Sequence, residues 1–164
     1  MYANHGYFDF STAAFAPPDA WADLRGSAAQ PHLQGKVLFH QTPFGVLVTA
    51  QVQGLPTPEA ACFPSFFAFH IHSGRSCTGS AEDPFADADG HYNPHNCPHP
   101  AHAGDLPPLL GANGQAFASV LTDRLTVEEI IGKTVIIHAF VDDFTSQPAG
   151  NAGAKIACGV IRPR

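Results

Sequence analysis

The sequence predicts an all-β protein, a sandwich or barrel whose strands are joined by long loops. Only 13% of the residues are charged, while glycine and proline each occur 15 times. This composition is typical of a loop-rich β protein rather than a helical one. The length of 164 residues suits one domain with a substantial core. No stretch is apolar for long enough to form a membrane helix, and the net charge of −6 argues against nucleic acid as the main partner.

Five segments have the pattern of strands. The clearest is 45–53, where Val46, Val48, Ala50 and Val52 alternate with more polar positions. The other predicted strands are 66–72, 115–121, 134–141 and 155–161.

The N-terminal part and the connections are weakly patterned. Pro17-Pro18 interrupts the helical candidate near the N-terminus, so we expect residues 1–30 to form an extension with a first short strand, and residues 31–164 to form the main domain. One helical turn is predicted at 126–131, where Thr126-Val-Glu-Glu129 matches a capping box.

Two long loops, 73–114 and 142–153, separate predicted strands. Loops as long as the first are uncommon in compact domains unless they are functional or disordered. Of the ten histidines in the chain, six fall between His70 and His102, which favours a functional loop.

Three histidines lie inside predicted strands. His70 and His72 are two residues apart, so they point to one face of their strand about 6.6 Å from each other, and two such imidazoles can converge on one ion. His138 occupies a similar place in another strand. The opposite faces are predicted to fill the core, with Phe67, Phe69 and Ile71 in one strand and Val135, Ile137, Ala139 and Val141 in the other. A lone strand histidine is more simply a partly buried polar group, but three together indicate a metal site.

The segment from His91 to Asp105 adds a second metal signal. It holds four histidines, one cysteine and one aspartate: His91, His95, Cys97, His99, His102 and Asp105. Three imidazoles with a carboxylate suit tetrahedral zinc, whereas imidazoles alone suit copper(II). A solvated loop that binds metal adventitiously is the less favoured reading, because Gly90, Pro94 and Gly104 would shape the segment.

Six motifs then carry a family resemblance. They are Phe69-His-Ile-His72, Gly90-His-Tyr-Asn-Pro94, His102-Ala-Gly-Asp-Leu106, Gly132-Lys-Thr-Val-Ile-Ile-His138, Asp142-Asp143 and Gly150-Asn-Ala-Gly-Ala-Lys-Ile-Ala-Cys-Gly-Val160. In this order, over roughly residues 33 to 161, they resemble the copper/zinc superoxide dismutase family. The resemblance implies an immunoglobulin-like Greek-key barrel or sandwich of about eight antiparallel strands. It also implies that two superoxide anions become dioxygen and hydrogen peroxide at a histidine-bridged copper/zinc site.

The resemblance further implies a role for each matching residue. Copper would be bound by His70, His72, His91 and His138, and zinc by His91, His99, His102 and Asp105. His91 would bridge the two ions and carry a proton in the reaction, while Asp142 would link His70 to His99 and orient both rings. A disulfide between Cys77 and Cys158 is implied as well.

The chain departs from the family in several places. The segment between His91 and Asp105 is short, and His99 is preferred to His95 as the middle zinc ligand because its distance from His91 matches the family. Lys155 stands where the family has an arginine beside copper, which keeps the charge without the planar two-donor fork. Arg75 is a second candidate for attracting the anion.

Cys62 and Cys97 have no standard counterpart in the family. A second disulfide between them, two free thiols, or Cys97 as a metal ligand all remain open.

Two rival functions are carried alongside the enzyme. One is a dismutase-like protein that binds or stores copper without turnover, and the other is a copper-only dismutase. Complete ligand sets for both ions favour the bimetal enzyme. Superoxide is the expected small-molecule partner, no membrane or nucleic-acid partner is expected, and a homodimer is left open. The N-terminus has no signal-peptide pattern, so a cytoplasmic protein and an exported mature form both stay open.

Overall fold

Eight antiparallel strands form a single sheet that curls into a nearly closed barrel. The computed structural model describes residues 8–57, 62 and 65–164. The strands are β1 Ala20–Gly26, β2 Gln34–Thr42, β3 Gly45–Gln53, β4 Phe66–His72, β5 Asp105–Leu110, β6 Gln115–Thr122, β7 Thr134–His138 and β8 Lys155–Pro163. Their order in the sheet is β5-β4-β7-β8-β1-β2-β3-β6, with β5 and β6 meeting across the seam. The predicted all-β fold with about eight antiparallel strands is confirmed.

Four strands that present functional side chains lie side by side. β4 pairs with β5 on one side and with β7 on the other, and β7 pairs with β8. The register places His70 opposite Asp105, and His138 opposite Lys155 beyond a bulge at the end of β7. Residues distant in sequence are therefore brought together on one outer face of the barrel.

The barrel interior contains the apolar faces expected from the strand pattern. Phe67, Phe69 and Ile71 of β4 are buried in the core, as are Val135 and Ile137 of β7.

The prediction for Val141 was wrong. β7 ends at His138, three residues earlier than expected, and Val141 lies in the following loop with 39% of its surface exposed.

The strand β5 was also missed, since its residues were assigned to the loop 73–114. It contains Pro107 and Pro108, and it is an end strand in the hydrogen-bonded order, where proline is tolerated.

Two short α-helices are present in the described residues, besides a single 3₁₀ turn at Ala86–Ala88. The predicted capping box is confirmed, because Thr126 and Glu129 cap each other's backbone at the start of α2 (Val127–Ile130). The unpredicted helix α1 (Phe10–Phe15) begins after Asp9, whose side chain accepts a hydrogen bond from the Ser11 amide, and it ends before Pro17. Neither helix in the described part of the chain has the length and apolar character to cross a membrane.

A disulfide anchors the segment 77–89, which we call the disulfide turn, to the outer face of the barrel. The bond joins Cys77 to Cys158 of β8, as the resemblance implied. Next to it, Phe85 and Ala88 pack on Ile136 as a small apolar cluster outside the main core. The second disulfide considered from the sequence is not formed, because Cys62 and Cys97 both carry free thiols.

Candidate metal centre

Four histidines surround one point on the outer face of β4 and β7. His70 and His72 come from β4, His138 ends β7, and His91 reaches them from the loop through a backbone bridge to His72. Each offers a nitrogen, and all four nitrogens lie within 4.8 Å of one another. The ring centres of His70 and His72 are 6.4 Å apart, close to the separation expected for alternate residues of a strand.

The outer nitrogens of the three strand histidines are occupied by protein groups, which fixes the nitrogens that face inward. The hydrogen bonds are His70 Nε2 to Asp142 Oδ2 at 2.8 Å, His72 Nδ1 to the Asp89 carbonyl at 2.7 Å, and His138 Nδ1 to the Gly153 carbonyl at 3.1 Å. His70 Nδ1, His72 Nε2 and His138 Nε2 are left for the centre, and the last two are 3.2 Å apart. His70 Nδ1 and His91 Nε2 are buried with no hydrogen-bond partner among the described residues. Buried nitrogens normally have a hydrogen-bond partner, so nitrogens that converge on one point with no partner there are consistent with a bound cation.

A second group of ligand atoms lies on the other side of His91. It consists of His91, His99, His102 and Asp105, and its atoms also lie within 4.8 Å of one another. The Asp105 carboxylate is central, with Oδ1 2.7 Å from His91 Nδ1 and Oδ2 3.0 and 3.2 Å from the Nδ1 atoms of His99 and His102. His91 belongs to both groups, with Nδ1 facing Asp105 and Nε2 left for the other histidines.

His99, rather than His95, joins this group in the structure. The His99 side chain is fully buried, whereas His95 is exposed on the surface of the loop. Cys97 is in neither group.

Asp142 connects the two halves of the centre. Its carboxylate contacts Nε2 of His70 with one oxygen and Nε2 of His99 with the other, each at 2.8 Å. It also accepts a hydrogen bond from the Phe144 amide, so its position is fixed by its own loop. The close approach requires glycine at Gly150, where a Cβ would lie 1.9 Å from Asp142 Oδ1.

Burial keeps the strand histidines neutral at neutral pH, which is the form that binds metal. Burial, reinforced by the charge of His91, lowers the pKa of His70 to about 2. Burial is also the main reason that the pKa of His72 is well below its usual value and that of His138 is about 4. For Asp105, burial alone would raise the pKa, but the hydrogen bond from His91 and the neighbouring histidine charges outweigh it and lower the pKa to about 2.

Two residues that support the centre were missed from the sequence. Gln147 forms hydrogen bonds with both backbone groups of His99. Its Oε1 accepts from the His99 amide at 3.0 Å, and its Nε2 donates to the His99 carbonyl at 2.7 Å. Arg124 donates to the carbonyls of Pro100 and His102 at 3.1 and 3.2 Å. Neither sits in a motif, and only their position across from the loop reveals their contacts.

The cations considered for attracting the substrate lie in different places. Lys155 is opposite His138 in the β7–β8 register, and its Nζ is 2.6 Å from Asp83 Oδ2. That hydrogen bond is the main reason the pKa of Asp83 is lowered. Arg75 is exposed, and its guanidinium lies near Gly132, just before the first residue of β7. His138 is the last residue of β7, at the opposite end of the strand.

Together, the fold and the centre define an antiparallel β-barrel protein with two adjacent groups of side chains that could each hold a metal ion and that share one histidine. A family model described as copper/zinc superoxide dismutase matches residues 33–161. The chain therefore belongs to the copper/zinc superoxide dismutase family, an oxidoreductase family that uses copper and zinc.

Individual relatives agree with this assignment. The chain is 35% identical to a Cu-Zn superoxide dismutase of Legionella pneumophila, over 93% of this chain and 92% of that protein. It is 37% identical to one from Photobacterium leiognathi, over 78% of each chain. The solved structure of Cu/Zn superoxide dismutase from Brucella abortus superposes with a TM-score of 0.72 and 26% identity, covering 86% of this chain and 98% of that one.

Proposed function

We propose that the protein converts two superoxide anions to dioxygen and hydrogen peroxide at a centre that holds one copper and one zinc. The observation that carries the proposal is the shared position of His91, which has one ring nitrogen in each ligand group. An imidazole shared by the two groups would help to hold both ions, an arrangement that neither a storage site nor a single-metal site requires.

The chemistry of the two donor sets supports the proposed position of each ion. The group of His70, His72, His91 and His138, which we call the copper group, has only imidazole nitrogens, and such a donor set suits copper. The group of His91, His99, His102 and Asp105, which we call the zinc group, has three imidazoles and one carboxylate, and such a donor set suits zinc. Copper, when bound, supplies the alternating one-electron oxidation and reduction that dismutation needs.

His91 is placed to hold and release a proton during the cycle. Its Nδ1 is fixed 2.7 Å from Asp105, while its Nε2 is buried without a partner among the described residues. Nε2 is therefore the atom at which a proton can be taken up and then given to the departing peroxide.

Lys155 provides positive charge for an anionic substrate. It lies opposite His138 and is 16% exposed, so an anion that approaches the copper group passes near its ammonium. A local cation matters because the chain as a whole carries a net charge of −6, which repels superoxide.

The proposal is tested by metal content and by superoxide decay. The purified protein loaded with both metals should contain about one copper and one zinc per chain and should accelerate superoxide decay. His138→Ala should abolish that acceleration, whereas His95→Ala, which removes an exposed histidine of the same loop, should not. Two coppers and no zinc would contradict the assignment of the zinc group.

The two rivals give different results in the same experiment. A protein that holds both metals but leaves the superoxide decay rate at that of buffer is a copper store. A protein that is fully active with copper alone, and no more active after zinc is added, is a copper-only dismutase.

We also propose that two copies of the chain associate. Phe66 of β4 and Leu110 of β5 are register partners with 43% and 59% of their surfaces exposed, and Phe117 of β6 is 72% exposed beside Leu110. Such a cluster of exposed apolar side chains is typical of an interface. Light scattering should report a dimer that Phe117→Glu converts to monomer, and a monomeric parent protein would contradict the proposal.

A further inference from the structure

The cation beside the copper group is paired with a carboxylate from a distant part of the chain. Lys155 Nζ lies 2.6 Å from Asp83 Oδ2, a contact between residues 72 positions apart in sequence. The lysine side chain is 16% exposed and the aspartate side chain 43% exposed. The Lys155 ammonium, which would attract an anionic substrate, is thus already in contact with the Asp83 carboxylate.

Asp83 is the fixed member of this pair. Its second oxygen, Oδ1, accepts a hydrogen bond from the Phe85 amide at 3.1 Å, and its carbonyl accepts from the amides of Ser80 and Ala86 at 2.9 and 3.1 Å. The disulfide turn that carries it is bonded to β8 through Cys158, three residues beyond Lys155. Lysine, in contrast, has a flexible four-carbon stem, so it is the member that can turn towards another anion.

The pair is also of a kind that exchanges readily. Ion pairs with a partner open to solvent contribute little to stability, so breaking this one costs little. While the pair is closed, the two charges largely cancel for an anion at a distance, and the net charge of −6 is left to repel it.

We propose that Asp83 is a positioning residue that sets the anion affinity of the copper group by competing with the substrate for Lys155. The inference rests on the proposed function, because it takes the copper group to be where a small anion binds. Asp83 holds the ammonium near His138 in the absence of substrate, and it gives the ammonium up when an anion arrives. The cost is a weaker attraction than an unpaired cation would provide.

The test measures anion binding directly, with azide titrated into the protein loaded with copper and zinc and followed by the visible absorption of copper(II). Asp83→Asn should tighten azide binding by roughly three- to tenfold, the effect of removing one nearby negative charge. Asparagine keeps an oxygen for the Phe85 amide, so the turn is preserved. Glu82→Gln is the matched control, since it removes the same charge one residue away, where the Glu82 carboxylate accepts a hydrogen bond from only the Ser80 hydroxyl among the described side chains. It should leave the azide affinity close to that of the parent.

A double-mutant cycle separates competition for Lys155 from a general effect of charge. Lys155→Gln should weaken azide binding, and adding Asp83→Asn to it should then have much less effect than in the parent protein. If Asp83→Asn tightens azide binding equally with and without Lys155, the two residues act independently and the inference is overturned. It is also overturned if Asp83→Asn behaves like Glu82→Gln, or if it weakens azide binding.

This outcome does not depend on whether the protein turns superoxide over. Azide binding is an equilibrium measurement, so it reports on Asp83 and Lys155 even if superoxide decay is not accelerated. If the parent protein does not accelerate superoxide decay, that result counts against the proposed function alone. Urea unfolding of each variant verifies that a change in azide affinity is not a change in folding.

Discussion

Gln147 offers the sharpest test of how the zinc group is supported. Its side-chain amide forms two hydrogen bonds with the backbone of His99, which hold the peptide groups on both sides of that residue. Gln147→Ala removes both bonds while leaving every ligand atom in the chain. We therefore expect zinc to bind more weakly, with copper affected much less.

The size of the effect follows from the two contacts. Each neutral hydrogen bond contributes about 0.5–1.5 kcal/mol, so the pair contributes roughly 1–3 kcal/mol. Since about 1.4 kcal/mol corresponds to tenfold in affinity, zinc binding should weaken by roughly five- to a hundredfold. That range agrees with the general cost of about 10–100-fold for removing a group that orients a metal ligand.

Competition with a chromophoric zinc chelator, starting from metal-free protein, measures this change. Thr145→Ala is the matched control, because the Thr145 hydroxyl, on the exposed side of the same loop, donates a hydrogen bond to Asp143 and to no other described residue. If the zinc affinities of the Gln147 and Thr145 variants are equal, His99 does not need its backbone held and the reasoning is refuted.

Three further predictions concern the loops and the histidines. Gly150→Ala should weaken binding of both metals and lower thermal stability, because its Cβ would meet Asp142 Oδ1 at 1.9 Å and His99 Nε2 at 2.8 Å; unchanged metal affinity would contradict this. The double variant Cys77→Ser, Cys158→Ser should lose about 2–5 kcal/mol of unfolding free energy in urea, since the bond closes a loop with a sequence separation of 81; a loss well below that range would show that the turn is held by packing alone. In the metal-free protein, the strand histidines have folded-state pKa values below the usual 6.5, so the unfolded chain takes up protons that the folded chain does not. Unfolding free energy should therefore fall as pH is lowered below about 6.5, by up to about 1.4 kcal/mol per pH unit for each histidine, and equal stability in urea at pH 7 and pH 5 would contradict this.

The part of the copper group that lies on β4 could be predicted from the strand pattern because its geometry is local, whereas His91 was assigned to the group only through the family resemblance. Alternation along a strand places His70 and His72 on one face whatever the rest of the fold does, and the same alternation sends Phe69 and Ile71 into the core. The pattern could not fix where the strand carrying His138 ends, because the bulge there depends on its pairing with β8.

The strand β5 shows where sequence patterns mislead. Pro107-Pro108 argues against a strand when it is read locally, since proline cannot donate to a neighbour. An end strand needs hydrogen bonds on one side only, and whether a strand is at the end of a sheet is decided by the topology of the whole chain.

Asp142 was named through the family resemblance, but the contacts of Gln147 and Asp83 could not be predicted, for a reason related to the one that hid β5. Gln147 reaches a residue 48 positions away, and Lys155 reaches Asp83 across 72. Glutamine and aspartate are ordinary loop residues, and nothing in their immediate sequence distinguishes them from solvated neighbours. Only the packing of their loops against distant parts of the chain gives them a partner.

The position of β1 has a consequence for how the chain can be shortened. The family model begins its match at residue 33, yet β1 (Ala20–Gly26) lies between β8 and β2 and pairs with both. A chain cut at residue 31 would leave two long strands with bare backbone donors and acceptors facing each other across a gap. Exposed strand edges of this kind recruit strands from other molecules. We expect such a fragment to form large soluble oligomers or to precipitate. A chain that begins at residue 17 should instead sediment as the uncut chain does, so sedimentation distinguishes the two fragments.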